Sequence, residues 1–149
     1  MLTIKKILCP TDFSEPSLKG LDYAADFASL FQAELTVLYI LPLLPPTPSD
    51  PNTFFKVPEY ERIVHAESEK KLKEIIALRI PKNLNVRSLI GHGNPAKEIV
   101  RIAEEMKADL VVIATQGHTG WHHFVLGSVA EKVIRHAHCP VFAVRETRR

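Results

Sequence analysis

The chain has only two cysteines in 149 residues, Cys9 and Cys139. Two thiols exclude the disulfide framework of a small secreted domain and point to a reducing compartment, the cytoplasm. Long apolar runs are missing too: no segment approaches the ~18 residues of a membrane-spanning helix. The first residues, MLTIKKILCPTDF, are not expected to form a signal peptide, because Lys5 and Lys6 interrupt the apolar stretch and Pro10 closes it. Charge of one sign is not in excess. The net charge of +2 is too small to imply a nucleic-acid partner, and the basic RETRR tail reads as a solvated end. Signatures of catalysis are absent as well. There is no Gly-x4-Gly-Lys-Ser/Thr loop, no Gly-x-Ser-x-Gly elbow and no Ser-Gly-Gly loop after the first strand.

What is present is ordinary for a globular protein, at 46% apolar and 24% charged residues. The length suits one domain, 1–149, with a full hydrophobic core. Ile4–Cys9 reads as a first strand closed by Pro10. Ser14 is a good N-cap and Pro16 suits a first helical turn. Leu18, Leu21, Ala25 and Ala28 then recur at helical spacing to about Phe31. ELTVLYIL is almost wholly apolar, as in a strand buried on both faces of a parallel sheet. Residues 41–58 hold six prolines and read as an irregular connection, or as a lid or partner-binding segment. A charged helix is expected over about Glu59–Leu78, with Leu72, Ile75 and Ile76 facing inwards.

NVRSLI reads as a third strand, and Asn94-Pro95 as a cap with a first-turn proline. Ile99, Ile102, Ala103 and Met106 form the inner stripe of the next helix. DLVVIAT is a fourth strand, Ser128–Ala137 a fourth helix and PVFAVR a fifth strand. Strict alternation of strands and helices predicts a doubly wound parallel sheet with helices on both faces. Ligands sit where the strand order of such a sheet reverses, beyond the carboxyl ends of the flanking strands. With the order 3-2-1-4-5, PTDFS after strand one would face ATQGHTGWHHFVLGS after strand four. Half of the chain's six glycines, Gly117, Gly120 and Gly127, lie in that second stretch.

Glycines let a backbone approach a ligand closely, and a helix start offers free N–H groups and the positive end of its dipole. Gly127-Ser128 therefore suits a phosphate, with the Ser128 hydroxyl either capping the helix or bonding a phosphate oxygen. Asp12, across the gap, is placed to accept from ribose hydroxyls. The alternative is a tight loop and a capped helix with no ligand.

ILCPTDFS, GNPAKEIVRIAEEMKADLVVIAT and GHTGWHHFVLGSVAEKVIRHAHCPVFAVR resemble the universal stress protein family. The resemblance spans the chain except the proline-rich segment and the helix after it. It implies the 3-2-1-4-5 sheet of a Rossmann-like, adenine nucleotide alpha hydrolase-like fold, and an ATP- or AMP-binding regulatory module of the stress response. Binding members carry Gly, two residues, Gly, nine residues, then Gly-Ser or Gly-Thr. Here Ala114 stands at the first position, with Gly117 and Gly127-Ser128 intact. The resemblance places Pro10, Thr11 and Asp12 beside the ribose and Ile40 at the adenine through its backbone. It places Ala114 near the ribose, and Gly117, Gly127, Ser128 and Val129 around the phosphates. Thr115, Gln116 and His118 are further loop candidates. Mg²⁺ would be held mainly by the phosphates. The resemblance also implies a homodimer joined through strand five, at Val141, Phe142, Ala143 and Val144, an apolar edge that invites pairing.

Rival readings are weaker. GHGNPA matches a dinucleotide fingerprint, but it follows the third strand and no acidic residue ends the next one. His118, His122 and His123, or His136 and Cys139, lack a completing set of metal ligands. Trp121 is expected to pack on the loop or a partner. A slow nucleotide hydrolase or self-phosphorylating enzyme and a nucleotide-free dimeric interaction scaffold remain the alternative functions. The two cysteines fall at opposite ends of parallel strands, so both are expected as free thiols.

Overall fold

The computed structural model describes residues 1–42, 53–116 and 126–145. In chain order its elements are β1 (Lys6–Pro10), α1 (Glu15–Phe31), β2 (Glu34–Leu41), α2 (Thr53–Arg79), β3 (Val86–His92), α3 (Pro95–Glu105), β4 (Leu110–Ala114), α4 (Ser128–His136) and β5 (Val141–Val144). All neighbouring strands pair in parallel, in the order β3-β2-β1-β4-β5.

Strand alternation divides the core between two faces. Ile7, Cys9, Leu35, Val37, Leu110 and Val112 meet α1 and Leu72 of α2 on one face. Leu8, Leu38, Ile40, Val111 and Ile113 meet Ile99, Ile102 and Ala103 of α3 and Ala130 and Val133 of α4 on the other. Cys9 belongs to the first face, and Cys139 packs on the second. Both thiols are free. Burial, aided by the negative charge of Asp22, pushes the Cys9 thiol up to about 12.

Small residues let α1 lie close to the sheet: its buried side is Ser17, Gly20, Leu21, Ala24, Ala25 and Ala28. Leu18 of the expected stripe is half-buried, displaced from the inner face by these smaller neighbours. The charged helix α2 begins at Thr53, six residues earlier than expected, and contains Pro58. A proline removes one backbone donor without ending a helix whose following residues are strong helix formers. In α3, Ile99, Ile102 and Ala103 are buried, while Met106 stands at the C-cap and is half-buried. No helix among the described residues is long and apolar enough to cross a membrane.

The pairing pattern opens the sheet where its order reverses. β1 and β4 pair at Ile7↔Leu110 and Leu8↔Val111 only. Beyond that, β1 stays with β2 as far as Pro10↔Leu38, and β4 stays with β5 as far as Ala114↔Val144. The N–H of Thr11 then donates to Leu38 O at 2.8 Å, and that of Thr115 to Val144 O at 3.0 Å. Each loop is drawn towards its outer neighbour, and a gap is left between them.

Candidate functional site

That gap is a cleft of about 360 Å³, within the range of small-molecule sites. Pro10, Thr11 and Asp12 line one side, Ile40 the floor, and Ala114, Thr115, Gln116, Gly127, Ser128 and Val129 the other side. All ten described residues of the expected site are thus brought together. Gly117 and His118 lie outside the described residues, as do His122, His123 and Trp121.

The β1–α1 loop is held by its own polar groups. Ser17 Oγ donates to Ser14 O at 2.9 Å, so Thr11 Oγ1 donates to Ser17 Oγ, also at 2.9 Å, and accepts from Phe13 N at 3.1 Å. Thr11 is buried, and its hydroxyl is used within the loop. The Asp12 carboxylate accepts from Ser14 N at 3.0 Å and from the Ser14 hydroxyl. It is the only carboxylate among the described residues of the cleft, which include no lysine or arginine.

The opposite wall is built from backbone. Gly127, not Ser128, is the N-cap of α4, and Ser128 is the first helical residue. The cap makes no side-chain hydrogen bond. Gly127 N donates to Thr115 O at 2.6 Å, and the first intrahelical bond runs from Glu131 N to Gly127 O at 2.9 Å. Helix geometry therefore leaves the N–H groups of Ser128, Val129 and Ala130 without an intrahelical acceptor. The φ of Gly127 is −55°, which any residue adopts. Glycine is required by clearance: a Cβ there would lie 2.7 Å from Thr115 O, inside contact distance.

Ala114 is the last residue of β4 and has no positive φ. A Cβ placed on Gly20 would meet its methyl at 3.7 Å. The methyl therefore packs on α1, and Gly20 makes the room for it. Residue 114 thus borders the cleft, as expected, with its methyl beside Gly20 of α1.

Sequence reasoning missed Leu38, Tyr39, Ile99, Ile113 and the first-turn Pro95 as cleft residues. Alternation within β2 and β4 could have placed Leu38 and Ile113 on the face of Ile40. Tyr39 carried no such signal; burial, and then the charge of Asp12, raise its hydroxyl above the ordinary tyrosine range. Gly93 has φ +121° and Asn94 caps α3, so GHGNPA spans the end of β3, a tight turn at Gly93-Asn94 and the start of that helix. No cluster of three or more His, Cys, Asp or Glu among the described residues could hold a metal.

The chain is 34% identical over 145 residues to universal stress protein MJ0531 of Methanocaldococcus jannaschii, covering 97% of this chain and 84% of that one. The solved structure of MJ0577 from the same organism superposes with a TM-score of 0.79 at 29% identity, over 99% of both chains. The universal stress protein of Archaeoglobus fulgidus, solved in complex with dAMP, shares the fold: TM-score 0.65, 24% identity, 96% of this chain and 98% of that chain. The sequence profile of the universal stress protein family matches residues 3–145. The chain belongs to the universal stress protein family.

Proposed function

We propose that the cleft binds an adenine nucleotide, ATP or AMP, and that occupancy regulates what the protein presents to a partner in the cytoplasmic stress response. The observation that carries this reading is the start of α4: three backbone N–H groups without intrahelical acceptors line a cleft whose facing wall carries one carboxylate. The helix dipole adds to the attraction for phosphate. In this reading Gly127, Ser128 and Val129, with Gly117, take the phosphates. Asp12 takes the ribose hydroxyls, and Pro10 and Thr11 border them. The backbone of Ile40 meets the adenine, while Thr115, Gln116 and His118 flank the phosphates. Mg²⁺ joins through the phosphate oxygens. The dAMP complex of the A. fulgidus protein is in keeping with this ligand class.

We also propose a homodimer through β5. The carbonyls of Pro140 and Val144 bond to β4, so Val141 and Ala143 turn their backbone groups to the free edge. Phe142, packed against Tyr23 and Phe27 at ring-centroid distances of 5.9 and 4.8 Å, extends the apolar surface beside that edge. Both cysteines being unpaired is in keeping with a reducing compartment.

The test of the ligand is mass spectrometry of small molecules released when the purified protein is denatured, with a calorimetric titration of ATP and AMP. The expected result is a released adenine nucleotide, or saturable binding of one. Absence of both would favour a nucleotide-free scaffold.

A further inference from the structure

Three described non-glycine residues have left-handed backbones: Phe13 at φ 68°, Gln32 at 53° and Lys107 at 55°. Gln32 is the C-cap of α1 and Lys107 follows the C-cap of α3, where such a conformation closes a helix. Phe13 is different. It precedes a helix, carries a bulky side chain and lies directly after Asp12. A conformation of this kind persists only where its surroundings hold it, and it is enriched at functional sites.

The surroundings are specific. The Phe13 ring stacks at 4.5 Å, tilted by 40°, on Tyr39 of β2. The Lys71 ammonium of α2 stands 4.6 Å from its centroid, a cation–π distance. The ring packs against the core on the α1 and α2 face of the sheet, while Asp12, one residue earlier, lines the cleft. The turn at Phe13 also brings Ser14 N and its hydroxyl back onto the Asp12 carboxylate. Two adjacent residues are thereby sent to different places, and the ring is the part that is gripped.

We propose that Phe13 is a positioning residue: its ring, gripped by Tyr39 and Lys71, holds the Asp12 carboxylate turned towards a ribose in the cleft. This rests on the reading of the cleft as an adenine-nucleotide site. It makes α2, which lends nothing else to the expected ligand contacts, part of the machinery that presents Asp12.

The test compares ATP and AMP, each with its 2′,3′-dideoxy analogue, on the wild type and on Phe13→Asn, Phe13→Gly and Phe13→Tyr. Asparagine and glycine accept the left-handed backbone without the ring; tyrosine keeps the ring. The wild type should prefer the ribonucleotide by about ten-fold or more, as expected for hydrogen bonds to a charged group. Phe13→Asn and Phe13→Gly, shown folded by cooperative melting, should lose that preference while binding the dideoxy analogue as the wild type does. Phe13→Tyr should keep it. Preference retained in the asparagine and glycine variants would overturn the positioning role alone. Equal loss of affinity for both members of a pair, or unfolding of both variants, would show a merely structural role and overturn it too. Equal affinity of the wild type for both members would overturn the ribose reading itself and the positioning role with it.

Discussion

Helices α1, α3 and α4 each begin just beyond the C-terminal end of a strand, yet they satisfy their first turns differently. Ser14 accepts from Ser17 N at the start of α1, and Asn94 Oδ1 accepts from Lys97 N at 3.1 Å at the start of α3. The α4 start has Gly127 in the same role and no side-chain oxygen. Alanine in place of a capping side chain costs a helix about 1 kcal/mol, and glycine only about a few tenths. The close approach to Thr115 O leaves no room for a capping side chain at 127. At each of the two capped starts a side chain takes one first-turn N–H, and a proline supplies none. The uncapped one faces the cleft with donors that a phosphate would complete, and that contrast locates the proposed function.

The largest expected effect comes from closing the open start. Gly127→Val drives a side chain against Thr115 O and should weaken ATP binding by about 100-fold or more, ~3 kcal/mol, measured by calorimetry. Ser128→Ala keeps the backbone donors and removes one hydroxyl, so the loss of affinity should be smaller, ~1–2 kcal/mol. Equal losses in the two variants would show that the side chain, not the open helix start, holds the ligand.

Asn94→Ala breaks the comparison from the other side. It makes a capped start bare, and should lower thermal stability by about 1 kcal/mol, a few degrees in Tm, with unchanged nucleotide affinity. The smallest effect is expected at the departure from the family's pattern. Ala114→Gly should cost ~0.5–1 kcal/mol of stability through lost packing on Gly20 and added chain entropy. It should not improve ATP binding, because the methyl points to α1. A clear gain in affinity would place that methyl at the ligand after all.

The contrast between capped and uncapped starts was partly legible from residue types. Ser14 and Asn94-Pro95 announce their helices, because a short side-chain oxygen before a proline in the first turn has few other uses. At Gly127-Ser128 the same reasoning left Ser128 either as the cap or as a phosphate ligand, and the structure has Gly127 as the cap. Serine is the better capping type, and only the distance to Thr115 O shows why glycine holds the position. The parallel sheet and most strand limits followed from the alternation of strands and helices, while the order 3-2-1-4-5 came with the resemblance to the family. The start of α2 did not, because Pro58 reads as a breaker in sequence and is absorbed in the helix. Phe13 escaped notice for a related reason: nothing in DFS distinguishes a left-handed phenylalanine from an extended one. Its partners, Tyr39 and Lys71, are 26 and 58 positions away.

The most direct test of the open α4 start is the backbone amide spectrum of the isotope-labelled protein, titrated with AMP and, separately, with adenosine. The amides of Ser128, Val129 and Ala130 should shift strongly with AMP and weakly with adenosine, while Lys97 and Glu98, at the capped start of α3, stay in place. Shifts at α4 that are the same for both ligands, or absent with AMP, would contradict the assignment of that helix start to phosphate.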